Sequence, residues 1–180
     1  FGIAERRPVG QRAMAAQFVV DEADDKREKA DPDGGHAGTL SPFALISEIR
    51  QFFDGPLALS GAISKGEQVL AAQAMGADFA YIGSAFIPTH EARAVEGYKD
   101  MIVESAAKDI IYSSLFTGVS GNYLAPSIAK AGMDPNNLPD GQGVGGVHAR
   151  MGAGEYVAQL KREYDAARAK LGLGAAALVG

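Results

Sequence analysis

Two apolar runs in this 180-residue chain finish in the same way: Leu59-Ser60-Gly61-Ala62 and Tyr81-Ile82-Gly83-Ser84 each end on a small residue beside a glycine. In parallel α/β folds, ligands bind at the carboxyl ends of strands, and in barrels the loops after the last two strands often hold a phosphate on backbone N–H groups. Glycine suits such a loop because a Cβ would block the close approach of phosphate oxygens, and the hydroxyl of Ser84 adds a donor. Spacing alone favours two ordinary strand-to-helix turns. A second candidate is Gly34-Gly35-His36-Ala37-Gly38, a histidine between glycines just ahead of a capped helix. Histidine carries protons near neutral pH, so on a strand-end loop it could serve a ligand. The same composition also fits a solvent-exposed turn.

Other motifs fail on context. His36, His90 and His148 are far apart, and although His90-Glu91 begins like a zinc-protease helix, the position four beyond His90 is Ala94, so no metal is expected. Gly141-Gln142-Gly143-Val144-Gly145-Gly146 has the glycine spacing of a dinucleotide loop. It follows Asn136-Asn137-Leu138-Pro139-Asp140, which is no strand, so it reads as a flexible loop or one folding over a ligand. Gly118-Val119-Ser120-Gly121 lacks the spacing of a hydrolase nucleophile elbow.

The elements that must position these residues alternate. Ser41-Pro42 starts a helix with Leu45, Ile46, Ile49, Phe52 and Phe53 at three- and four-residue spacing, stopping near Asp54-Gly55. Residues 56–60 form an apolar run expected of a strand buried on both faces. Residues 66–75 read as a helix closed by Gly76, and 79–82 as a second buried strand. Residues 91–107 read as a helix with Tyr98, Met101, Ile102 and Ser105 on one side. Strand–helix alternation with short loops requires parallel strands joined by crossovers. A further strand is expected at 110–115 and irregular chain at 122–146. A last helix at 155–171 turns Tyr156, Leu160, Tyr164, Ala167 and Leu171 inward. Before all of these, Ala15-Ala16-Gln17-Phe18-Val19-Val20 is a strand candidate, residues 21–30 a charged exposed helix, and Asp31-Pro32-Asp33-Gly34-Gly35 a breaker.

Composition narrows the function class. With 17 basic and 22 acidic side chains, a net charge of −5 and no cysteine, the chain has no basic surplus for nucleic acid and no thiolate for a zinc site, a disulfide or a nucleophile. Nothing approaches the roughly 20 apolar residues of a membrane span. A cytoplasmic location and one domain are expected. A start on Phe1 without Met suggests a chain cut from something longer. The 23 glycines mark turns.

Taken in order, Gly34-Gly35-His36-Ala37-Gly38-Thr39-Leu40-Ser41-Pro42, Leu59-Ser60-Gly61-Ala62-Ile63, Gly76-Ala77-Asp78-Phe79-Ala80-Tyr81-Ile82-Gly83-Ser84-Ala85-Phe86 and Leu115-Phe116-Thr117-Gly118-Val119-Ser120-Gly121-Asn122-Tyr123-Leu124 closely resemble the nitronate monooxygenase family. The resemblance implies an α/β fold of parallel (β/α) units like the second half of a TIM barrel. It further implies non-covalent FMN, and oxidation of alkyl nitronates by molecular oxygen to carbonyl compounds and nitrite. By the same resemblance His36 is the active-site histidine and Gly35 presents backbone to the flavin. Ser60-Gly61 and Gly83-Ser84 receive the FMN phosphate, and Gln142 and Gly143 pass close to the flavin ring. Alternatives on the same barrel are a nicotinamide-dependent quinone or enoyl reductase, or an inactive fragment that holds FMN phosphate and self-associates through an open sheet edge. Residues 34–180 are the FMN-binding portion, and 1–33 a divergent or poorly ordered segment. The family's amino-terminal half has no counterpart here. Its strand before the Gly-Gly-His segment is replaced by Glu28-Lys29-Ala30-Asp31-Pro32-Asp33, although Phe18-Val19-Val20-Asp21 resembles the strand preceding it. A second contraction falls between Pro139 and Gly141. A closed barrel takes about 250 residues, so this chain is expected to be an incomplete one.

Overall fold

The computed structural model describes residues 18–20, 41–115, 121–137 and 144–173. Three parallel strands form one sheet in the order β1 (Phe18–Val20), β2 (Leu57–Ser60), β3 (Phe79–Tyr81). The strand candidate in the amino-terminal segment therefore joins the sheet, Val20 opposite Leu59. The central strand β2 is buried at every residue, from Leu57 at 0% exposed to Ser60 at 8%, which explains its uninterrupted small and apolar sequence.

Helix α1 (Pro42–Ile49) precedes β2. The Ser41 hydroxyl accepts from the Ala44 N–H, and Pro42 occupies a position where its missing donor costs nothing. Ile46 and Ile49 pack with Leu57, Leu59, Ala72 and Ala77 in the first core cluster. Phe53 lies against that cluster, but Phe52 faces solvent, since the helix ends at Ile49 and the turn after it carries the ring away from the core. Helix α2 (Gly66–Met75) connects β2 to β3 and closes on Gly76 at φ +113°, as its sequence predicts.

Arg50 ties these pieces together at the amino ends of the strands. Its guanidinium donates to the carbonyls of Gly76 (2.6 and 2.9 Å), Gly55 (2.7 Å) and Phe53 (3.1 Å) and to Asp78 Oδ2 (2.8 Å). The same carboxylate oxygen accepts the Leu57 N–H at 3.0 Å. One side chain thus fixes the end of α1, the start of β2 and the entry to β3.

Four expectations need correction. β3 is not a buried strand: Phe79 and Tyr81 are 59% and 46% exposed, because β3 is the outer strand, with no further strand paired beyond it among the described residues. The 3-10 turn Ser84–Phe86 follows β3, and the helix expected at 91–107 is shorter, α3 (Glu96–Glu104), since residues 91–95 stay in turns, where Glu91 accepts the Ala153 N–H, and residues 107–109 form a separate 3-10 turn. Residues 122–146 are not irregular throughout. Strand β4 (Ile110–Ser113) pairs antiparallel with β5 (Gly121–Leu124) in a separate two-stranded sheet, followed by α4 (Ala125–Lys130). Gly121 sits opposite Ser113, and Pro126 falls in the first turn of α4, where a proline is harmless. Finally, α5 (Ala153–Lys170) carries Tyr156 inward as expected, whereas Leu171 lies past its end and is 67% exposed.

The second core cluster lies under α3, β4, β5 and α5: Ala85, Ile102, Ile110, Leu124, Val144, Val147 and Tyr156. Among the described residues the sheets close no barrel, and no helix is long and apolar enough to cross a membrane. Replacing Arg50 with Ala is expected to cost about 2–3 kcal/mol, the scale of a charge-assisted hydrogen-bond cluster, measured as a lower urea midpoint with an unchanged slope.

Candidate active site at the paired strand ends

The last pair of the β2–β3 ladder is Ser60 with Tyr81. The two chains therefore leave the sheet side by side, separated by about 4.8 Å, the spacing of neighbouring strands. After β2, Gly61 at φ +103° and Ala62 at φ +50° turn the chain sharply toward α2. Left-handed backbone at 61 demands glycine, and at Ala62 it costs about 1 kcal/mol. After β3, Gly83 and Ser84 are both exposed, and a Cβ built on Gly83 meets nothing within 4 Å.

The second turn is rich in unspent donors. The Phe86 N–H donates to the Gly83 carbonyl at 2.9 Å and the Ile87 N–H to Ser84 at 3.2 Å. The N–H groups of Ser84 and Ala85, at the start of the 3-10 turn, find no acceptor among the described residues. The start of α2 is the opposite case. Its Gly66 N–H donates to Glu163 Oε2 at 2.8 Å, and Gln68 Oε1 accepts from the N–H groups of Ser64 (2.7 Å) and Lys65 (3.0 Å). A carboxylate already complements that helix end. Free space at Gly83, left-handed backbone at Gly61 and two unsatisfied N–H donors together fit the phosphate of the implied FMN.

Helix α5 braces both turns from behind. Gly66 lies so close to it that a Cβ would stand 2.1 Å from the Leu160 carbonyl oxygen. Farther along α2, away from the turns, the Tyr164 hydroxyl donates to Gln73 Oε1 at 2.5 Å. Tyr156 donates its hydroxyl to the Ser64 carbonyl at 2.8 Å and sets its ring edge-on to Phe86, centroids 4.8 Å apart at 81°. The start of α5 is held by the Ala153 N–H donating to Glu91 Oε2 (2.8 Å) and by the His90 N–H donating to the Met151 carbonyl (3.0 Å). Ala153 thereby holds the Glu91 carboxyl below its ordinary range, and Arg150, paired with Glu96 and Asp100, does the same for Glu96.

A cavity of about 90 Å³ lies behind the 3-10 turn, bounded by Ala85, Thr89, Gly146, Val147 and Tyr156. It is well below the roughly 300 Å³ at which small-molecule sites begin, so it cannot seat a flavin ring.

Of the residues singled out by sequence, the structure brings together Ser60, Gly61, Gly83 and Ser84. Gly35, His36, Gln142 and Gly143 lie outside the described residues. Val144, next after Gly143, is buried in the second cluster, and Gly146 presses on the first turn, where an added Cβ would lie 2.1 Å from Ser64 Oγ. Sequence reasoning placed Tyr156 on a buried face but gave no hint of its polar partner, which lies 92 positions away.

Comparison with known proteins identifies a family and a shared fold. A family model described as Nitronate monooxygenase matches residues 29–142. A nitronate monooxygenase from Paraburkholderia phytofirmans is 29% identical over 153 residues, covering 75% of this chain and 42% of its own. Nitroalkane oxidase from Streptomyces ansochromogenes superposes with a TM-score of 0.61 at 24% identity, over 76% of this chain and 50% of that one. FabK from Thermotoga maritima gives the same TM-score at 20% identity, over 76% and 53%. These two structures share the fold, and the chain spans about half the length of the proteins it matches.

Tyr156 makes the site's support sensitive to alkali. Burial, reinforced by the negative charge of Glu163, pushes its phenol from the ordinary value of 10 up to about 12. The stability contributed by the neutral phenol is complete below pH 10 and is lost as pH rises through 12. An alkaline tyrosinate titration should accordingly show a late step, coupled to unfolding, that is missing in Tyr156→Phe.

Proposed function

The chain belongs to the nitronate monooxygenase family, and we propose that it forms the phosphate-holding part of an FMN site at which alkyl nitronates are oxidised by molecular oxygen to carbonyl compounds and nitrite. The observation that carries the reading is the register of Ser60 with Tyr81, which sets Ser60-Gly61 and Gly83-Ser84 side by side, with the Ser84 and Ala85 N–H groups lacking an acceptor among the described residues and open space at Gly83. Bound FMN would supply the electron transfer between substrate and oxygen.

In this reading the chain's own groups bind and orient. Amides at Gly61, Ser84 and Ala85, with the Ser84 hydroxyl, complement the phosphate charge and fix the cofactor at one end. By the family resemblance, Gly35 presents backbone to the flavin, and Gln142 and Gly143 belong to a loop passing close to its ring. His36 stands by the substrate nitro group, where its N–H stabilises negative charge or its neutral nitrogen takes a proton from a nitroalkane carbon.

A second reading is favoured by the exposure of Phe79 and Tyr81 on β3, an outer strand. In it, the edge pairs with a second copy of the chain and the protein carries no flavin. Absorption spectra of the purified chain with and without FMN, followed by size exclusion across concentrations, separate the two. Co-eluting flavin supports the FMN site, and flavin-free oligomers that grow with concentration support the second reading.

A Cβ at Gly83 meets no neighbour within 4 Å, so Gly83→Val is expected to fold, to fill the space in front of the turn and to weaken FMN binding at least about tenfold in a fluorescence titration. His36→Ala is expected to leave FMN bound and lower nitronate turnover by about 100-fold or more. Unchanged turnover would remove the role assigned to His36.

A further inference from the structure

We propose that Tyr156 is a positioning residue for the cofactor phosphate, locking the two strand-end turns into one arrangement from behind without touching what they bind. The proposal rests on the FMN reading given above. The β2–β3 ladder fixes the turns only as far as Ser60 and Tyr81. Beyond that pair, no backbone hydrogen bond joins residues 61–65 to residues 82–89 among the described residues. A third element spans the gap: Tyr156 of α5 reaches both. Its hydroxyl holds the Ser64 carbonyl at 2.8 Å, three residues past Gly61, and its ring holds Phe86, two residues past Ser84.

The geometry suits a fixed spacer. Tyr156 is 6% exposed and belongs to the cluster that contains Ala85, so its ring cannot swing aside without opening the core. Helix α5 is itself anchored on both sides, to α2 through Gly66 and Glu163 and to the loop beyond Phe86 through Glu91 and His90. Charge-assisted N–H bonds to an anion require donors within about 2.7–2.9 Å, so a small shift of one turn relative to the other forfeits part of the set. Loss of the hydroxyl leaves the Ser64 carbonyl without its donor and frees the first turn to move.

The test compares FMN with riboflavin, which lacks only the phosphate, by fluorescence titration of the full chain. Wild type is expected to prefer FMN. Tyr156→Phe should lower FMN affinity about tenfold, a loss of about 1.4 kcal/mol, and leave riboflavin affinity unchanged. Phe86→Leu, which removes the other contact and keeps the hydroxyl bond, should shift the ratio the same way. Tyr164→Phe, which cuts an α5–α2 bond remote from the turns, should not. Equal losses for both flavins, or an unchanged ratio in Tyr156→Phe and Phe86→Leu, would overturn the positioning role while leaving the phosphate site standing. A wild type that binds the two flavins equally, or neither, would overturn the phosphate reading itself and the proposal with it.

Discussion

Ser60 and Tyr81 end the same ladder, and the site depends on that pairing. Parallel strands held about 4.8 Å apart cannot drift relative to one another, so the turns that follow begin from a shared, rigid base. The base is rigid because β2 is walled in on both faces and because Arg50 and Asp78 pin the far ends of the strands. Function-bearing loops gain from this division of labour. The sheet supplies position, and the glycines supply access for an anion to the backbone.

Support also comes from the carboxyl-terminal helix, which lies far along the chain from both turns. Glu163 occupies the start of α2 and Tyr156 bridges the two turns, so α5 serves as a brace between elements that would otherwise meet only at the sheet. Acid and alkali act on different parts of this brace. The lowered carboxyl groups of Glu91 and Glu96 favour the folded state above their ordinary range near 4.5 and lose that contribution as pH falls. Tyr156 sets the opposite limit. The structure is best held between the two.

Much of this arrangement is legible in the residues. The short apolar run at 57–60, the glycine closing α2 and the serine-proline start of α1 each have one local physical reading, and each appears where the pattern places it. The paired strand ends are visible because two short motifs repeat. What the sequence hides is whatever depends on distant partners. Phe79 and Tyr81 have the composition of a buried strand, but burial is set by neighbours, and β3 is the outer strand of its sheet. Gly121 and Pro126 look like loop residues until β4 supplies a pairing partner and α4 a first turn. Ser64 and Tyr156 are unremarkable alone and meaningful only together.

The claim that the two turns make one phosphate site is tested most directly by following backbone amide resonances while inorganic phosphate or FMN is added. Gly61, Ser84 and Ala85 should shift together along a single saturating curve, with Gly66 unaffected because Glu163 already occupies it. Shifts centred on Gly66 and Gln68, or none at the two turns while flavin binds, would contradict it.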